Sequence, residues 1–118
     1  MRLKPPKFIR WLMPDLIWEM KDRSAVYLTF DDGPTPGITE WILSTLDKYD
    51  AKATFFVLGK NVEMYPDLYK RILDAGHKVG NHTYSHQKGW GMSLERYTED
   101  VDFANDLIHS ELFRPPYA

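Results

Sequence analysis

Not one cysteine occurs among the 118 residues. Disulfide staples and thiolate metal sites are thereby excluded, and any metal held by this chain must rest on His, Asp, Glu or water. That absence does not assign a compartment. Excess positive charge is missing too: 15 Lys and Arg stand against 17 Asp and Glu, a formal net charge of -2. The basic face that a nucleic-acid partner requires is therefore not supplied, and no nucleic acid is expected. Nor is there a long apolar run. The nearest approach, FIRWLMPDLIW over residues 8–18, is interrupted by Arg10, Pro14 and Asp15 and carries no small-residue cleavage site. It reads as neither a membrane span nor a signal peptide, so the localisation stays unknown, with cytoplasmic and membrane-peripheral placements both open.

What is present belongs to an ordinary globular protein. An apolar fraction of 43% with 27% charged residues excludes disordered and collagen-like chains. The length fits one domain. Residues 1–23 read as an N-terminal arm in which Arg2, Lys4, Lys7, Arg10 and Lys21 outnumber Asp15 and Glu19. Phe8, Trp11 and Trp18 beside these charges fit a peripheral membrane contact. The prolines at 5, 6 and 14 break any continuous amphipathic helix and favour an arm that packs over a domain edge.

From residue 24 onward a βα alternation is expected. Ala25–Phe30 (AVYLTF) is an apolar run of β-formers, the pattern of a strand buried on both faces. A helix follows, capped by Thr35 with Pro36 first, its inner face Ile38, Trp41, Ile42, Leu46 and Tyr49. Ala53–Leu58 reads as a second strand ended by Gly59. The next helix starts at Pro66, buries Leu68, Tyr69, Ile72 and Leu73, and stops at Gly76. His77–Asn81 reads as a third strand, and Ser93 caps a helix with Leu94, Tyr97, Val101, Ala104, Leu107 and Ile108 inward. Leu112–Arg114 begins a fourth strand, cut short by Pro115 and Pro116. The fold class expected is α/β with a parallel sheet, a partial or deformed (β/α) barrel. Four units make half of an eight-unit barrel, so the sequence reads as truncated and prone to self-association.

Three constellations carry chemistry, each at the C-terminal end of an expected strand, the edge where such folds build their sites. In Thr29-Phe30-Asp31-Asp32-Gly33-Pro34, two adjacent carboxylates can diverge at a strand-to-loop junction; an ordinary turn is the alternative. In His82-Thr83-Tyr84-Ser85-His86, an extended strand would hold the rings roughly 13 Å apart. One helical turn brings them to about 6 Å, within reach of a shared metal. His77 and His109 lack such a partner and read as structural and helix-face residues. In Phe113-Arg114-Pro115-Pro116-Tyr117, a guanidinium can orient a carboxylate, or the segment is a surface strand terminus. Two imidazoles and one carboxylate make a catalytic zinc set with an open position, and the second carboxylate remains as a base.

TFDDGP, HTYSH and RPPY, in this order, resemble the first three motifs of polysaccharide deacetylases of carbohydrate esterase family 4, the NodB-homology domain. The resemblance runs from Ala25 to the last residue and makes residues 24–118 the N-terminal part of such a domain. It implies a distorted (β/α) barrel and a hydrolase acting on carbon–nitrogen bonds other than peptide bonds, or on O-acetyl esters. The substrate partner would be an acetylated oligo- or polysaccharide, with chitin oligomers, peptidoglycan and xylan all open. By the same likeness Asp32, His82 and His86 would hold the metal, usually zinc, with another divalent transition metal open. Asp31 would be the base, Arg114 would position Asp31, and the Tyr117 N–H would help bind the oxyanion. Trp90, Tyr84 and Tyr117 lie near motif loops and could stack on sugar rings. Two further family motifs, one carrying an Asp and a Trp and one carrying the acid His, have no counterpart here. Ala118 stands where Gly often follows the Tyr. The alternative is therefore a non-catalytic metal- or glycan-binding fragment lacking the acid.

Overall fold

The computed structural model describes residues 6–117. In chain order the elements are α1 (Lys7–Leu12), β1 (Leu28–Asp31), α2 (Ile38–Lys48), β2 (Ala53–Val57), α3 (Gly59–Met64), α4 (Pro66–Asp74), β3 (Lys78–Asn81) and α5 (Leu94–Ile108). The three strands form one parallel sheet in the order β1-β2-β3. This is the α/β architecture that the alternation predicts.

The sheet has two unlike faces because strand side chains alternate. Register aligns Phe30, Phe55 and Val79 in one row and Asp31, Phe56 and Gly80 in the next. The first row faces the helices. Phe55 and Val57 pack with Leu43 and Leu46 of α2, Ile72 of α4 and Ala104 and Ile108 of α5 in one core. Each fully buried aliphatic side chain there contributes roughly 1.5–3 kcal/mol. The second row is the functional face, since it carries Asp31 and is covered at Phe56 by the Arg114 guanidinium, 4.1 Å from the ring centroid.

Local chemistry sets most boundaries. Pro66 opens α4 at its first position, where its missing N–H is no loss. Gly76 follows with φ +80°, a left-handed turn suited to glycine. Ser93 caps α5 by accepting the Arg96 N–H at 3.3 Å.

Several expectations need correction. β1 is shorter than the apolar run and is not buried on both faces: Val26, Tyr27 and Leu28 are exposed, because among the described residues only β2 pairs with this strand. α2 starts after Gly37, whose N–H donates to the Glu40 carboxylate, rather than at Thr35 and Pro36. Its buried residues are Thr39, Leu43 and Leu46; Ile38, Trp41 and Tyr49 are exposed. Gly59 opens α3 instead of merely ending a strand. Leu73 and Leu94, expected inward, are exposed. The fourth strand amounts to a single parallel bridge between Asn81 and Phe113.

Among the described residues of the arm, the side-chain hydrogen bonds stay local, and Trp18 Nε1 donates to the Met13 carbonyl. No side chain of α1 is buried, and Trp11 is 80% exposed. Glu19 accepts hydrogen bonds from Arg10 and Arg23, which pull its carboxyl down to about 2. Arg2, Lys4, Pro5 and Ala118 lie outside the described residues. No described helix is long and apolar enough to cross a membrane.

Candidate active site

Asp31 ends β1, His82 follows the last residue of β3, and Arg114 follows the bridge partner of Asn81. All three segments therefore deliver their residues to the C-terminal edge of the sheet. Asp31 keeps strand geometry, whereas Asp32 has φ +72°. That left-handed step, which Asp tolerates better than most residues, turns the second carboxylate away from the first. The two then meet different partners.

Asp32 meets the imidazoles. Its Oδ1 lies 3.2 Å from Nε2 of His82 and 3.1 Å from Nε2 of His86. One ligand atom from each of the three residues lies within 4.8 Å of the others. Zinc bonds of about 2.0–2.2 Å at a tetrahedral angle place ligand atoms roughly 3.3 Å apart, so this donor set fits one divalent cation. The rings of His82 and His86 are 5.3 Å apart. Their approach does not come from the helical turn that the spacing predicts. The segment is a bent loop with φ +68° at Thr83 and +58° at His86.

The His82 tautomer is set by the backbone. Nδ1 lies 2.6 Å from the Arg114 carbonyl, which can only accept, so Nδ1 carries the proton and Nε2 presents its lone pair. The Arg114 side chain serves the other carboxylate. Its Nη1 donates to Asp31 Oδ1 at 2.8 Å and to Thr29 Oγ1 at 3.1 Å. Thr29 and Asp31 are two residues apart on β1 and so share a face. One arginine thus holds Asp31 by its guanidinium and His82 by its carbonyl.

Tyr117 joins the group through its ring, edge-on to His86 at 4.8 Å. His77 and His109 stay outside it. His77 is buried, accepts the Ala53 N–H at Nδ1 and packs on Phe55. Burial first, then Lys52, lowers its pKa. His109 is not a helix-face residue; it ends α5 in the left-handed conformation. Trp90 is exposed beside Tyr97 on a shallow shelf with Gly89, Met92 and Leu94.

Residues outside the motif readings also shape the site. Asn61 donates to the Asp32 carbonyl at 2.8 Å. The Asn81 side chain accepts the Thr83 N–H and donates to the Val101 carbonyl. Asp100 on α5 accepts from both Tyr84 and Ser85. Nothing in linear spacing links Asp100 to the HTYSH loop. Asn81, directly before His82, was the more readable of these.

Residues 19–118 match the family model for polysaccharide deacetylase. The chain belongs to that family. A peptidoglycan-N-acetylglucosamine deacetylase of Bacillus cereus is 41% identical over 108 residues, covering 81% of this chain and 37% of the relative. The solved structure of the peptidoglycan deacetylase PdaC from Bacillus subtilis superposes with a TM-score of 0.75 at 42% identity, over 77% of this chain and 48% of that one. A family 4 carbohydrate esterase from Streptomyces lividans, solved with acetate, gives 0.74 at 34% identity, over 78% and 50%. The parallel-stranded α/β fold is thus that of the deacetylase barrel, and the chain spans only part of its relatives' length.

Proposed function

We propose that this polysaccharide deacetylase chain supplies the metal-binding and base half of a hydrolase that removes acetyl groups from an acetylated glycan. The observation that carries the proposal is the divergence of Asp31 and Asp32: one is clamped by Arg114, the other converges with His82 and His86. Its relatives named as peptidoglycan deacetylases favour an N-acetylated glycan as substrate.

A divalent cation in the Asp32, His82 and His86 set, with zinc suited to these donors, would acidify water to near neutral pH. Asp31 would take the proton of the attacking water. Arg114 occupies its Oδ1, fixing the carboxylate plane and leaving Oδ2 to accept. The Arg114 carbonyl keeps His82 in the tautomer whose Nε2 lone pair would be available to a cation. The Tyr117 N–H, in a turn with φ +58°, is assigned to the oxyanion of the tetrahedral intermediate. Its ring walls the site beside His86.

One observation favours a second reading, a non-catalytic metal- or glycan-binding role. Among the described residues, His77 is committed to Ala53 and His109 to the end of α5, so no third histidine is at hand to protonate the leaving amine. Zinc titration, paired with acetate release from an N-acetylglucosamine oligomer by the full polypeptide, separates the two readings. Zinc binding with turnover supports the hydrolase, zinc without turnover the metal-binding form of the second reading, and neither leaves only glycan binding, which titration with the same oligomer checks.

A further inference from the structure

His82 and His86 are held in place by different means. His82 is nearly buried, with 4% side-chain exposure, and its Nδ1 is tied to the Arg114 carbonyl. His86 is 26% exposed, and among the described residues no hydrogen bond reaches its Nδ1. Ring contacts with His82 and Tyr117 limit its position without fixing its tilt. The orientation of His86 therefore depends on its own backbone, which sits at φ +58° beyond a β-branched Thr83 at φ +68°. Such conformations persist only where surrounding contacts over-determine them.

Those contacts come from two helices. The start of α3 binds the carbonyls: the Gly59 N–H donates to Thr83 and the Lys60 N–H to Tyr84. The loop's donors go to one side chain on α5. Asp100 Oδ2 accepts the Tyr84 and Ser85 N–H groups at 3.0 and 3.2 Å, and Oδ1 accepts the Ser85 hydroxyl at 2.6 Å. Ser85 Oγ in turn accepts from Gln87 Nε2 at 2.8 Å. The bracket thus engages the residues on both sides of His86. A carboxylate is suited to this task because both its oxygens only accept. Asp100 is half-buried, so its loss would leave two amides facing a poorly solvated gap.

We propose that Asp100 is a positioning residue for the metal site, acting through the Tyr84–Ser85 backbone to aim His86 at the cation shared with Asp32 and His82. This rests on the metal-site reading above. It assigns α5, which carries no ligand, a part in metal affinity.

The test uses the full polypeptide, with Asp106→Ala, an exposed carboxylate on the same helix, as control. Zinc affinity by calorimetry should fall about 10- to 100-fold in Asp100→Ala, the usual loss when a ligand's supporting partner is removed. Asp100→Asn, which retains one acceptor oxygen for the two amides, should fall in between. Asp106→Ala should bind like wild type. In metal-free protein the Tyr84 and Ser85 amides should exchange faster in Asp100→Ala than in the control. Wild-type zinc affinity in Asp100→Ala overturns the proposal, and so does unchanged exchange of those two amides. If Asp100→Ala does not fold, Asp100→Asn decides: a loss of threefold or more supports the proposal and wild-type affinity overturns it. Should the wild type itself bind no zinc, the metal-site reading fails, while amide exchange still reports whether Asp100 holds the loop.

Discussion

Neighbouring carboxylates usually interfere with each other, since like charges in close quarters push their pKa values apart. Here a single left-handed residue separates them: Asp31 lies against a guanidinium and Asp32 against two imidazoles. Asp31→Asn should therefore keep zinc and lose most of kcat, by about 10²- to 10⁴-fold, the usual share of general-base catalysis. Asp32→Ala and His82→Ala should each weaken zinc at least ~10-fold, while His77→Ala and His109→Ala leave it unchanged. Calorimetry on the five variants with acetate release on the first checks the assignment; an emptied metal site in Asp31→Asn would exchange the two roles. Arg114→Ala makes a finer distinction. The side chain aims Asp31, but the His82 tie uses the backbone carbonyl, which alanine retains. Turnover should drop on the order of 10²-fold, as for a misplaced reacting group, with zinc affinity close to wild type. A parallel loss of zinc would mean that the guanidinium also supports the ligands.

Two glycines show how closely the elements approach one another around the site. A Cβ on Gly80 of β3 would come 2.6 Å from the Phe56 ring, the ring beneath the Arg114 guanidinium. A Cβ on Gly59 would come 2.7 Å from the Tyr84 ring and 3.0 Å from Ala104, where α3 meets α5. Either alanine should destabilise by about 1–3 kcal/mol through overpacking, read as a lower urea midpoint at unchanged m-value. Gly80→Ala should also lower turnover through the Phe56–Arg114 contact; equal turnover per folded molecule would sever that link. Much at this scale was readable from sequence. β2 and α4 are legible because an apolar β-rich run and a Pro66-to-Gly76 frame are strong local signals. The inner face of α2 is legible only in part: Leu46 is buried and Ile42 packs on the core, whereas Ile38, Trp41 and Tyr49 carry a helical period on a side that nothing described covers. The three site segments are legible in motif order, and so is the divergence of Asp31 toward Arg114 and Asp32 toward the two imidazoles. The loop geometry is not: left-handed Thr83 runs against the preference of a β-branched residue, and the loop's hydrogen-bond partners lie on α3 and α5, distant in sequence. Asp100 was invisible for the same reason, because its role exists only once α5 is packed.

At the scale of the whole molecule, the described helices cover one face of the sheet, and among the described residues the β1 edge is open. β1 pairs only with β2 among the described residues, and its approach is apolar: Val26 is 86% exposed, with Tyr27 and Leu28 exposed beside it. An unpaired parallel edge with apolar flanks is a template for another strand. Parallel sheets are normally covered throughout. Residues 1–118 expressed alone should therefore self-associate as concentration rises, whereas in a polypeptide that covers β1 they should not. Charge on this flank should suppress the effect, as Lys does on natural edge strands. Val26→Lys is the suitable change, since that side chain is already in solvent and lies outside the paired register of Leu28–Asp31. Light scattering on 1–118 should report mass growing with concentration, and the variant should shift this growth to higher concentration with little change in melting temperature. A wild-type fragment that stays monomeric over the whole range would show that the β1 edge is protected in solution, and the argument from its exposure would fall.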